Sequence, residues 1–208
     1  MNKLIGITLF MLMSTLISAQ ESMSRIQIGA KAGLSYSNVY DAVGEEFNAD
    51  ARFGFTGGVF LSIPLMRFLG IQPELLITQK GFKGSGHLFG SQYNFERTTT
   101  FFEIPLLVAL KPSQFVTILV GPQYSYLIKQ RDEFTNSLTS FVQEEEFKND
   151  NIRKNILGIT GEFDVDIQNF VLSGRLGWDF LDNKGDGTSS TPRYKNVSGQ
   201  LTLGIKLF

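Results

Sequence analysis

Apolar and polar residues alternate along most of this chain with a period of two, the pattern of strands that show one apolar face. In 69–82, Leu69, Ile71, Pro73, Leu75 and Ile77 share a face, and Gln72, Glu74, Thr78 and Lys80 share the other. In 98–112, Thr100, Phe102, Ile104, Leu106, Val108 and Leu110 oppose a face carrying Glu103 among Phe101, Pro105, Leu107 and Ala109. In 115–129, Val116, Ile118, Val120, Tyr124, Tyr126 and Ile128 face one way, and Thr117, Gln123, Ser125 and Lys129 the other. The same alternation recurs in 25–36, 53–63, 155–167, 170–180 and 197–207, so eight strands are expected.

The charged face decides the setting. A soluble sandwich would have to bury Glu74, Glu103, Glu162, Asp164 and Arg175 or leave their whole face wet, whereas a bilayer takes the apolar face and leaves the charges to line a closed lumen. The connections alternate in length. They are long at 37–52, 83–97, 130–151 and 181–195, and short at 64–68, 111–114 and 168–169. Short turns at one end and long loops at the other are the mark of an outer-membrane barrel. Strands of this length cross a bilayer, which takes roughly 9–11 tilted residues. The expected fold is an all-β, eight-stranded antiparallel up-and-down transmembrane barrel, with a strand extension around Phe141 in the third long loop.

Composition narrows the setting further. The chain has 208 residues, 19 basic against 20 acidic, with 21 Gly and 19 Phe. It is sized for one folded unit, and without a polycationic footprint nucleic acid is not an expected partner. Residues 1–19 read as a secretory signal peptide: Lys3 is the basic start, 4–17 the apolar centre, and Ser18-Ala19 the small-residue end. That centre is shorter than the roughly 20 residues of a spanning helix. Residues 20–208 form the barrel domain. Cysteine is absent, which excludes disulfides and a lipid-anchoring cysteine.

Aromatic residues gather where strands meet connections: Tyr36, Phe53, Tyr126, Trp178 and Phe180 toward the long loops, and Phe68, Phe115, Phe170 and Phe208 toward the short turns. They are expected to form two girdles at the membrane interfaces. Phe208 is out of phase with the outward set Leu203, Ile205 and Leu207.

The runs IQPELLITQKG (71–81), FFEIPLLVALKP (101–112) and VGPQYSYL (120–127) resemble recurrent strand sequences of the PorT-like family of small outer-membrane β-barrel proteins. The resemblance implies an eight-stranded barrel in the outer membrane of a Gram-negative cell. It fixes no biochemical activity, since some members of that family serve protein secretion and others do not.

The candidate site is the set of charges that alternation turns inward: Lys31, Glu74, Lys80, Glu103, Glu162, Asp164, Arg175 and Lys206. Eight strands leave an interior just wide enough for side chains to fill, so these charges are expected to pair into a plug. Arg175 and Lys206 are the candidate counter-ions of Glu74 and Glu103. His87, in the glycine-rich 84–90, is the only histidine, and without cysteine it builds neither a usual zinc site nor a triad. The run 182–187 (DNKGDG) places Lys184 where a calcium loop needs a ligand, and Glu144, Glu145 and Glu146 read as a solvated loop.

No catalytic residue, cofactor or metal is expected. The reading is of a monomeric, non-enzymatic component of the cell envelope with a filled lumen, in contact with outer-membrane lipid and with other envelope proteins through its loops or periplasmic turns. Two alternatives are an exported soluble barrel holding a small apolar ligand and a narrow porin-like channel.

Overall fold

Period-two alternation commits each segment to two unlike faces, and the chain resolves the conflict by curling the sheet shut. The computed structural model describes residues 25–43, 48–88, 91–136, 139–145, 152–183 and 193–207. Its strands are β1 (Gln27–Val43), β2 (Asn48–Met66), β3 (Leu69–Leu88), β4 (Ser91–Ser113), β5 (Val116–Asn136), β6 (Thr139–Glu145), β7 (Asn155–Ile167), β8 (Phe170–Asp179) and β9 (Arg193–Lys206). All pairings are antiparallel. Eight strands form the ring β1-β2-β3-β4-β5-β7-β8-β9, and β9 returns to β1 from Gly29↔Lys206 to Val43↔Arg193. Closure leaves no open edge around the ring, the condition for a sheet to sit in hydrocarbon.

The inward and outward sets follow the alternation. On β4, Glu103 is fully buried while Leu106, three residues on, is 52% exposed. Every strand of the ring carries such a belt, including Leu34, Val59, Leu75, Val120, Phe163, Leu176 and Leu201. Apolar clusters line part of the inner wall, Leu107, Ala109 and Leu119 nearer the short turns and Phe101, Leu127 and Ile156 nearer the long connections.

Four expectations are corrected. The segment 83–97 is not a loop: β3 and β4 run on as a ladder to His87↔Gln92 and Leu88↔Ser91. In the same way β1 and β2 enter 37–52, and β5 continues to Asn136, where β6 pairs with it from Asn136↔Thr139 to Gln130↔Glu145. Beyond the bilayer both faces of a hairpin meet water, so its backbone can pair without any apolar alternation to announce it. The strand extension around Phe141 is β6, which among the described residues pairs with β5 alone.

The fourth correction is Lys129. Thr100 opposes Lys129 but Phe101 opposes Leu127, so Ile128 is an extra residue on β5. This β-bulge resets the phase. Lys129 is exposed, and Gln130 takes the inward position.

A second shift lies in the β2–β3 ladder between Ala51 and Thr56. Opposite it, Gly81 has a φ of 150°, and a Cβ there would lie 1.9 Å from the Arg97 carbonyl oxygen. Only glycine fits. The Ser37 hydroxyl, from β1, accepts from the Gly81 amide at 2.9 Å and stands 3.0 Å from its carbonyl oxygen as donor, replacing the interrupted ladder bonds.

Candidate functional site

The inward positions bring side chains of opposite charge from across the ring within hydrogen-bond distance of one another in the lumen. In the first cluster the Lys31 ammonium on β1 donates to Glu74 Oε1 on β3 at 2.8 Å and to Glu162 Oε1 on β7 at 2.8 Å. The Arg175 guanidinium on β8 donates to both Glu74 Oε2 and Glu162 Oε2. Each carboxylate is thus shared by two cations. Gln72 adds a donor to Glu74 at 2.9 Å.

The second cluster is centred on Lys80. Its ammonium lies 2.8 Å from Glu103 Oε1 and 3.2 Å from Asp179 Oδ1. Thr78 donates to Glu103 at 2.9 Å, Gln123 donates to Glu103 at 3.0 Å, and Asn196 donates to Asp179 at 2.9 Å. Aromatic faces close both sites: Lys31 stands 5.8 Å from the Phe60 ring centroid and Lys80 5.3 Å from that of Phe101. All seven charged groups of the two clusters are nine-tenths buried or more.

Two outlying pairs complete the column. Toward the short turns, Lys206 Nζ meets Asp166 Oδ1 at 2.6 Å. Toward the long connections, Arg97 grips Asp132 through Nε at 2.8 Å and a terminal nitrogen at 2.7 Å. Asp164 and Ser173, register partners on β7 and β8, each keep an oxygen without a hydrogen-bond partner.

Seven of the eight sequence-derived charges therefore meet opposite charge directly, in part with the expected partners. Arg175 serves Glu74, but Lys80 serves Glu103 and Lys206 serves Asp166. Asp179, Asp166, Arg97 and Asp132 extend the set. The first two are legible in the alternation of β7 and β8. Arg97 was legible too, since it continues the inward phase of Thr99 and Phe101. Asp132 was not, because the Ile128 bulge stands between it and its strand.

Outside the barrel band, Glu96 on β4 accepts from Arg52 Nε at 2.7 Å and lies 3.5 Å from Lys83 Nζ. Partial burial pushes its pKa up, but the hydrogen bond and charge of Arg52 and the charge of Lys83 hold its carboxyl below the usual 4.5.

Of the nine interface aromatics, Tyr36, Phe53, Phe68, Phe115, Tyr126, Phe170, Trp178 and Phe180 lie exposed on the outer surface. The Tyr36 and Phe53 rings meet at 4.7 Å. Phe208 and the 1–19 segment lie outside the described residues, as do the side chains of His87 and 144–146.

A profile of the outer membrane protein β-barrel domain matches residues 18–184. No curated protein matches the chain. Among solved structures it is similar to Ail, the attachment invasion locus protein of Yersinia pestis, with 12% identity, a TM-score of 0.48 and coverage of 88% of this chain and 100% of that one. Neisserial surface protein A gives 10% identity and a TM-score of 0.48 over 88% and 100%. OprG from Pseudomonas aeruginosa gives 11% and 0.39 over 87% and 95%.

Proposed function

Because the chain belongs to the outer membrane protein β-barrel domain family, we propose that it is a monomeric, non-enzymatic envelope component whose lumen is a structural plug and whose working surfaces are its outer hairpins and periplasmic turns. The observation that carries this reading is the state of the lumen. Lys31, Lys80 and Arg175 each bridge two carboxylates, and Glu74 and Glu162 each bridge back to two cations. A catalytic acid, base or nucleophile must be free to exchange protons with a substrate, and these groups are committed to one another.

Their burial also sets the energetics. Removing one partner of a buried pair strands the other charge at a cost of about 3–5 kcal/mol, so the network holds eight strands in one register rather than opening a path between them. The aromatic residues at the strand ends act as interfacial girdles, and export follows from a cleaved signal peptide at 1–19.

The PorT-like assignment is supported by where its three motifs meet. Glu74 comes from IQPELLITQKG, Glu103 from FFEIPLLVALKP and Gln123 from VGPQYSYL, and Gln123 donates to Glu103. The motifs thus supply Glu74, Lys80, Glu103 and Gln123 to the plug, and a role beside secretion components is tested in the same way as any other partner.

Two measurements test the reading. In planar bilayers the purified protein shows no steady ionic current; a large stable conductance would replace the plug by a pore. Photo-cross-linking in intact cells from positions in 84–95 captures envelope proteins in the proposed role, and capture of none from any outer hairpin or periplasmic turn overturns the interaction role.

A further inference from the structure

We propose that the wall made by β3, β4 and β5 is a yielding panel which the lumen plug latches shut, an inference that rests on the plug described above. Proline marks the panel. Pro73 on β3, Pro105 on β4 and Pro122 on β5 each stand in mid-strand, although proline donates no ladder bond and is ordinarily confined to sheet edges and bulges. A closed ring has no edge to put them on.

Each proline interrupts one ladder. Pairing of β2 with β3 stops at Phe60↔Glu74 and resumes at Ile63↔Ile71, that of β3 with β4 stops at Leu76↔Glu103 and resumes at Pro73↔Leu106, and that of β4 with β5 stops at Pro105↔Gln123 and resumes at Val108↔Val120. The register is the same on both sides of each gap, so these are missing bonds rather than bulges. In an antiparallel ladder the two residues of a hydrogen-bonded pair exchange two bonds. Here the carbonyls of Leu61, Glu74 and Leu106 lose the donor that Pro73, Pro105 and Pro122 cannot supply. The Leu106 oxygen instead lies so close to Gly121 that a Cβ there would be 2.0 Å from it. The ladders of β5 with β7, β7 with β8 and β8 with β9 run unbroken through the belt.

The plug is fastened to this same panel. Gln72 and Glu74 flank Pro73, Gln123 follows Pro122, and Glu103 stands two residues before Pro105. Glu74 is held from across the lumen by Lys31 on β1 and Arg175 on β8. Thr78 on β3 donates to Glu103 on β4 at 2.9 Å, and Gln123 on β5 donates to Glu103 at 3.0 Å, so side-chain bonds span two of the weakened ladders. Inside the ring the low local dielectric strengthens them. Stiffness that the backbone gives up in the panel is thus supplied by lumen side chains. Release of Glu74 or Glu103 lets the panel part locally while the opposite wall keeps its full ladder, and that uncovers the lumen from the side without unfolding the ring.

Hydrogen exchange, resolved amide by amide in the barrel folded in detergent, tests the latch. In wild type the amides of Leu61, Glu74 and Leu106 are expected to exchange at least ~10-fold faster than those of Leu172, Leu176 and Leu203. Glu103→Gln, checked as folded by heat-modifiable mobility, is expected to widen that ratio at least another ~10-fold. Thr78→Val, which removes a single bond to Glu103, serves if Glu103→Gln does not fold. Asp166→Asn, which breaks the rim pair with Lys206 away from the gaps, should leave the ratio unchanged. Pro122→Val, at an exposed outward position, restores a donor to the Leu106 carbonyl and should slow the Leu106 amide to the rate of the β8 and β9 amides.

Equal rates around the wild-type ring overturn the proposal, as does a Glu103→Gln barrel whose amides all speed up in proportion, since the plug would then support the ring as a whole. A Leu106 amide still fast in Pro122→Val overturns it too. A steady ionic current through wild type in planar bilayers overturns instead the plug reading beneath it.

Discussion

Glu103 and Leu106 sit on one strand and face opposite solvents, which makes them a paired test of the in–out register. Glu103→Leu strands Lys80, leaving it Asp179 alone, and should destabilise the barrel by about 3–5 kcal/mol. Leu106→Arg puts a charge into the belt and should cost about 2–4 kcal/mol near mid-bilayer, falling toward the interfaces. Leu106→Ala, which leaves no core cavity, should be mild. Urea unfolding in lipid with heat-modifiable mobility as the readout measures all three, and a Leu106→Ala loss as large as that of a core cavity would reverse the assignment.

Glu96 supplies a pH-dependent test at the same scale. Its folded pKa is depressed, so the stability it contributes is fully present above the unfolded value and is lost as pH falls through the folded one. Wild type should therefore be more stable than Glu96→Gln at neutral pH, and the two should converge on the acid side of 4.5. The gap should also shrink in salt, since the Arg52 and Lys83 partners are only partly buried. A gap that persists unchanged at low pH would mean that the amide's shape, rather than the lost charge, was being measured.

Among elements, β5 carries the sharpest distinction. Ile128 is surplus to the β4 ladder, so deleting it should restore plain alternation with Leu127 and Gln130 still inward, and Asp132 should still reach Arg97. Deleting Ile118, inside an unbroken ladder, flips every following side chain to the wrong face. The first deletion should give a heat-modifiable folded band and the second none. These elements also show what a sequence discloses. Where β3, β4, β7 and β8 cross the belt, lipid on one side and paired charge on the other punish any break in alternation, so Glu74, Glu103, Asp164 and Arg175 could be placed inward from their positions alone. Ion-pair partners such as Lys80 with Asp179, 99 residues apart, depend on the shear of the whole ring, which no local pattern encodes. The ladder above Lys83 sits where water reaches both faces and its residues carry no period, and the Ile128 bulge shifts the phase by one residue without any break in the run of residue types.

For the whole molecule, barrel and hairpins should separate as building blocks. Lys83 and Glu96 are register partners, so replacing 84–95 by Asn-Gly offers the two-residue turn that such a pair accepts. That variant should remain folded and heat-modifiable because the plug lies wholly below the cut. Under the proposed function its cross-links to envelope partners from this hairpin should vanish, and loss of folding instead would make the hairpin part of the barrel's own stability.

The β1–β9 pairing has a consequence for biogenesis. The amide of Leu207 donates to the carbonyl of Ile28 at 2.8 Å, so the first and last strands of the ring are stitched to each other. The final seam can form only after every strand of the ring from β1 to β9 is in place. Until then β1 keeps a bare edge, and the inward cations of β1 and β3 await Glu162 and Asp179, which arrive late. A chain wired in this way has no stable halfway house: its ring stays open, and its inward charges stay unmatched, until β9 arrives to close it.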